Sequence, residues 1–287
     1  MDFPIKELAK EDFPKQMLEI PEPPKRLNYR GELPSSDMKI LAVVGSRQYT
    51  NYGKQVVDHL IGGLRGYNIG IVSGLALGID SLAHEAALNN NMYTLAIPGG
   101  GLSDSVIYPA RHKPLARKIL ESGGGMLSEY EPEFRATNWS FPERNRLVVG
   151  ISEAVLVVEA GEKSGSLITA RLCADYNREL LVVPGNIFSD NSKGVHQFLK
   201  LGATPVTEAS DILNVLNLEV QTDNLPSKPV ALTPEETKVL YILNEPTERD
   251  TLIRKLALPA SEAAIILMQM EINGLIKEDS GTYRRVS

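Results

Sequence analysis

The stretch Arg135-Ala-Thr-Asn138-Trp139-Ser140-Phe141-Pro142-Glu143-Arg144-Asn145-Arg146 sets three guanidinium groups against one carboxylate and interleaves them with two large rings. Cations neutralise phosphates and flat rings stack on bases, the pairing that single-stranded nucleic acid requires. The same stretch also reads as Trp139 and Phe141 anchoring a loop while the arginines cap the following helix. Arg47 follows Gly45-Ser46 at the end of an apolar run. A guanidinium placed there, beside helix N–H groups, makes a two-part anion site. Further on, Ser164-Gly165-Ser166 offers small residues that admit a close phosphate, and Ser166 can cap a helix and donate outward.

Other groupings are weaker. Asp80 and His84, four apart, share a helical face and could form an acid–base pair. The plainer reading is that Asp80 satisfies N–H groups at a helix start and His84 packs under the loop. Tyr108-Pro109-Ala-Arg111-His112-Lys113 gathers three potentially cationic side chains, which a solvated helix start explains as well as a ligand does. Cys173, the one cysteine, excludes an internal disulfide and reads as core filling. The G-x-G-x-x-G and G-x-x-x-x-G-K-[ST] orders are missing, as are paired metal carboxylates and Cys/His clusters. No cofactor or metal is therefore expected.

Positioning these residues falls to a series of apolar runs: Ile40–Val44, Ile69–Val72, Thr94–Ile97, Val155–Val158, Leu180–Val183 and Ala203–Val206. Runs without alternation fit parallel strands covered on both faces, and the helical patterns between them imply a doubly wound α/β sheet. Four helices starting just past strand ends would aim N–H groups at one crevice. Residues 1–37 read as an extended, proline-punctuated arm packed on the core, 38–218 as the main domain and 219–230 as a linker.

Residues 231–287 form a small unit of three helices and a hairpin, the winged-helix plan. Its expected recognition helix, Ala260–Asn273, contains Glu262 and Glu271 but no lysine or arginine, so contact with protein or with the chain's own main domain is expected rather than with duplex DNA.

The 287 residues suffice for one sizeable core plus a small domain, and a net charge of -6 argues mildly against bulk nucleic-acid binding. No run approaches the ~20 apolar residues of a membrane helix, and the charged N-terminus does not read as a signal peptide. A cytoplasmic protein is expected, with no membrane partner.

Taken in order, several segments resemble the bacterial DNA-processing protein A (DprA/Smf) family. They include Val44-Gly45-Ser46-Arg47, Ser73-Gly74-Leu-Ala through Gly78-Ile79-Asp80 to Ala83-His84, and Pro98-Gly99-Gly100-Gly101. Tyr108-Pro109, Ser128-Glu129-Tyr130, Phe141-Pro142-Glu-Arg144-Asn145-Arg146, Ser164-Gly165-Ser166 to Ala170, Val183-Pro184-Gly185 and Gly202-Ala203 complete them.

The resemblance implies an extended Rossmann-like domain that binds single-stranded DNA, protects it and loads the RecA recombinase onto it during natural transformation. It also implies a homodimer and no enzymatic activity. Carried over, Arg47, with Gly45 and Ser46, would contact phosphate, and Phe141, Arg144, Asn145 and Arg146 would line the DNA pocket. Gly165 and Ser166, with Lys163 added by our own reading, would form the opposite rim, and Val195, Phe198 and Leu199 around His196 are our candidates for meeting the second subunit. The rival is a nucleotide-processing hydrolase of the lysine-decarboxylase-like (LOG) type. Its P-G-G-x-G-T-x-x-E glutamate is not matched in Pro98-Gly99-Gly100-Gly101-Leu-Ser-Asp104-Ser-Val106.

Overall fold

The structure, a computed structural model, describes residues 3–162, 164–220, 233–272, 275–279 and 281–285. The chain divides into two compact units, Met1–Val220 and Gln221–Ser287. From residue 221 onward, the expected linker lies outside the described residues.

The first unit begins with β1 (Lys6–Glu7), α1 (Lys15–Leu18), β2 (Asn28–Gly31), β3 (Lys39–Val44), α2 (Asn51–Gly63), β4 (Ile69–Ser73) and α3 (Ile79–Asn89). It continues through β5 (Thr94–Ala96), α4 (Lys113–Glu121), β6 (Gly125–Ser128), α5 (Ser140–Ile151), β7 (Ala154–Val157) and α6 (Ser166–Asp175). It closes with β8 (Glu179–Val182), α7 (Lys193–Lys200), β9 (Thr204–Pro205) and α8 (Ala209–Val215).

The strands form one sheet in the order β1-β2-β6-β5-β4-β3-β7-β8-β9. From β6 to β9 every neighbouring pair is parallel. The chain winds outward from β3 to β6, then returns to β7 on the other side of β3. That reversal opens a crevice at the carboxyl ends of β3 and β7. Alternate side chains of one strand serve two cores: Ile40, Ala42 and Val44 face one layer, Leu41 and Val43 the other. The first layer is covered by α1, α5, α6 and α7, the second by α2, α3 and α8.

The amino-terminal arm is packed through Phe13, Met17 and Leu27, and it also extends the sheet. Its β2 pairs antiparallel with β6, Asn28 opposite Ser128, and β1 pairs with β2. Val195 and Phe198, expected at a subunit contact, pack within the core of the first unit through α7. Leu199 is half-buried against the same cluster.

The second unit contains α9 (Pro234–Ile242), β10 (Thr247–Glu248), α10 (Arg249–Leu256), α11 (Ala260–Ile272), β11 (Ile276–Asp279) and β12 (Thr282–Arg285). Thr233 and Glu236 close a reciprocal capping box at α9, with Pro234 in the first turn. The antiparallel order β10-β12-β11 completes a winged helix. Among the described residues no helix is long and apolar enough to cross a membrane.

Candidate nucleic-acid interface

Beyond the carboxyl ends of the central strands lies a cavity of about 760 Å³. Its lining includes Gly45, Ser46 and Arg47 after β3, Ala76 and Asp80 after β4, Phe141, Arg144 and Asn145 of α5, and Gly161, Ser164, Gly165 and Ser166 at α6. Arg47 is exposed, pairs with no carboxylate among the described residues, and lies over the Phe141 ring at 5.6 Å. Two glycines allow this placement. A Cβ on Gly78, whose φ is +88°, would meet the Ser46 carbonyl oxygen at 2.1 Å, so only glycine lets the Arg47 turn lie against α3. A Cβ on Gly99 would meet Phe141 at 2.5 Å.

Not all four helix starts are open to an anion. Glu159 fills that of α2, accepting from the Thr50 amide at 2.9 Å and the Thr50 hydroxyl at 2.6 Å. Asp80 accepts from the amides of Gly74 and Ala76 before α3, which is the helix-start role read in the sequence. The amides of Ser46, Arg47, Phe141 and Gly165 find no acceptor among the described residues. These four amides, with the Arg47 guanidinium, make the anion-attracting part of the crevice.

Arg144 does not offer its charge outward. Its Nη1 donates to the carbonyls of Gly74, at 2.6 Å, and Ile97. It thereby ties α5 to the ends of β4 and β5. Burial lowers the Arg144 pKa, opposed by Asp80, whose own value burial raises against the pull of Arg144. Arg146 is outside the crevice altogether, paired with Glu129 and donating to the Glu22 carbonyl at 2.8 Å. Burial raises Glu129, with Arg146 opposing. Residues 144 and 146 sit roughly 200° apart around a helix, so both cannot face one cavity.

Asn145, Gly165 and Ser166 line the crevice, whereas Lys163 lies outside the described residues. Trp139 is 57% exposed rather than a core anchor, edge-on to Tyr130, on which Phe134 stacks. Tyr108 lines the crevice with its ring 5.7 Å from Phe141. His112 is buried with Nδ1 on the Leu75 carbonyl, and Lys113 belongs to another cleft.

His84 is also buried, with Nδ1 2.7 Å from the Thr94 hydroxyl, and burial drives its pKa down to about 3. Cys173 is buried and its thiol pushed up to about 12. Gln48, Asn138, Ile168, Thr169 and Asn191 also line the crevice and are not among the site residues expected from the sequence. The signal for Thr169 was its helical spacing from Ser166, while Asn191 is held at the site by its 2.8 Å bond to the Gln48 carbonyl and by the Ala160 amide, which donates to the Asn191 carbonyl at 2.8 Å. Among the described residues no three His, Cys, Asp or Glu cluster as metal ligands.

Residues 5–217 match the family described as DNA recombination-mediator protein A, and residues 224–282 match the DprA winged helix domain. Protein Smf of Escherichia coli (strain K12) is 37% identical over 287 residues, covering 96% of this chain and 75% of that protein. DNA processing protein DprA of Streptococcus pneumoniae is 38% identical over 211 residues, 74% of this chain and 73% of that one.

The X-ray structure of the Streptococcus pneumoniae protein superposes with a TM-score of 0.69 at 37% identity, covering 77% of this chain and 76% of its own. DNA processing protein A from Helicobacter pylori, solved for its single-stranded DNA binding mode, gives 0.67 at 33% identity, covering 75% of this chain and 96% of its own. With three-quarters of its length matched and the Escherichia coli relative aligned over 96% of it, the chain belongs to the DNA recombination-mediator protein A family.

Proposed function

We propose that this chain binds single-stranded DNA in the crevice at the strand reversal, without sequence readout and without chemistry on the strand. The observation that carries this is the exposed Arg47 guanidinium over the Phe141 ring, among four amides that lack acceptors. Phosphate would sit on Arg47 and those amides, and a base would stack at the Tyr108–Phe141 face. The Helicobacter pylori relative, characterised for single-stranded DNA binding, supports this reading. Protection of incoming strands, their delivery to RecA in natural transformation, a homodimer and a cytoplasmic setting belong to the same proposal.

The hydrolase reading has less support. Asp104, nearest the place where that family carries its glutamate, pairs with Arg30 in another cleft. A gel-shift comparison of an oligothymidylate with a duplex of equal length tests the proposal, with preference for the single strand expected. Equal affinity for both, or release of free base from nucleoside monophosphates, would overturn it.

A further inference from the structure

The indole of Trp139, the single tryptophan of the chain, is more than half exposed and belongs to none of the hydrophobic clusters among the described residues. It stands with Tyr130 and Phe134, at ring-centroid distances of 6.1 and 5.8 Å, as an aromatic group of its own. The loop that presents it is tightly held. The Gly101 amide donates to the Phe134 carbonyl at 2.8 Å, the Ser140 hydroxyl to the Gly99 carbonyl at 2.5 Å, and the Thr137 amide to the Ser140 hydroxyl oxygen at 2.9 Å. A Cβ on Gly101 would meet the Glu131 carbonyl oxygen at 2.2 Å, so the loop lies flush against the glycine turn. A ring group fixed at the surface, unlike a stray apolar side chain, marks a contact site. The crevice ends beside it. Asn138 and Phe141 both line the crevice, while Trp139 lies between them in sequence and outside the lining. Two peptide steps put the α-carbons of Trp139 and Phe141 at most about 7 Å apart.

We propose that Trp139 is a second stacking station, on which single-stranded DNA lays a base after leaving the crevice over Phe141. This rests on the proposed DNA binding and extends its path. Continuity with the crevice selects the strand, rather than a protein, as the occupant. The neighbouring charges decide how the station holds it. Arg135 is exposed and pairs with no carboxylate among the described residues, while Glu131 is paired with Arg26 and Glu129 with Arg146. Glu133 and Glu143 have no cation partner among the described residues and accept from the hydroxyls of Ser105 at 2.7 Å and Tyr130 at 3.2 Å. One unpaired cation against two such carboxylates offers phosphates no net attraction, so the base face carries the contact.

Because Trp139 is the only indole, its emission reports on this position alone. The test uses the full chain with oligothymidylates of about 5 and about 20 nucleotides, the one filling the crevice and the other running past it. Unlabelled strands are followed by indole emission and end-labelled ones by anisotropy. The longer strand should quench the emission and the shorter one leave it nearly unchanged. Trp139→Ala should weaken the longer strand about tenfold with an unaltered salt slope, and leave the shorter one at parental affinity. Trp139→Phe, which keeps a ring, should recover most of that loss. Unchanged emission with the longer strand, parental affinity of Trp139→Ala for it, or an equal loss for both lengths would each overturn the assignment. Failure of the parent to bind either strand would instead bring down the crevice reading, and this station with it.

Discussion

The Arg47 guanidinium lies over the ring of Phe141, one supplied by the turn after β3 and the other by the first turn of α5. Cation and ring are therefore two halves of one contact surface, yet they should fail differently. Arg47→Ala removes a phosphate partner: affinity should fall alike for all sequences, and the log–log salt slope should flatten by about 0.7. Phe141→Ala removes a stacking face and should weaken binding about tenfold with the slope unchanged. Titrations at several salt concentrations separate the two, and an unaltered slope in Arg47→Ala would remove that residue from the site.

Arg144 is expected to serve stability. Arg144→Met strips the Gly74 and Ile97 carbonyls of their donor and leaves Asp80 without its opposing charge. Losing one partner of such a buried arrangement costs about 3–5 kcal/mol. Urea unfolding should show that drop for Arg144→Met, while exposed Arg47→Ala stays within about 0.5 kcal/mol of the parent. Parental stability in the Arg144→Met variant would contradict the tie between α5 and the strands.

Arg146 leads to a related expectation with a different readout. Arg146→Ala strands the Glu129 carboxylate, whose side chain is 13% exposed, and should lower stability by about 1–3 kcal/mol. Its salt slope for oligothymidylate should equal the parent's, because the guanidinium is outside the crevice. A flattened slope would return Arg146 to the DNA.

Acid should loosen the first unit through His84. Its folded pKa of about 3, against an ordinary 6.5, means the unfolded chain binds the extra proton first. Stability is then retained above the unfolded value and falls as pH drops from about 6.5 toward 3, at up to about 1.4 kcal/mol per unit. Asp80 and Glu129, both raised by burial, act in the opposite sense. Denaturant midpoints between pH 7 and 5.5, measured for the parent and for His84→Leu, give the histidine's share as the difference, and the variant should show the flatter slope even if it is weaker overall. Equal slopes in the two proteins would refute the assignment.

The parallel strands were legible because Ile40–Val44, Val155–Val158 and their like are buried on both faces and so carry no alternation. The arm's strands were not, since Lys6–Glu7 and Asn28–Gly31 hold their place by backbone pairing and show no apolar run. Arg47 was readable from its turn, while Arg144 and Arg146 were joined to it by the motif they share and by the family resemblance. Linear neighbours on a helix point apart, and burial of one and pairing of the other depend on Gly74, Ile97 and Glu129, which are distant in sequence. The closing of the α2 start by Glu159, 109 residues from Thr50, is equally invisible to local reading.

Both borders of the large sheet are blunted. On one side β1 is two exposed charged residues, and on the other β9 is two residues ending in Pro205, which has no N–H to offer. A neighbouring molecule thus finds no ladder to continue, and templated fibre growth along the sheet is blocked at either end. Pairing of two copies through the edges of this sheet is thereby disfavoured.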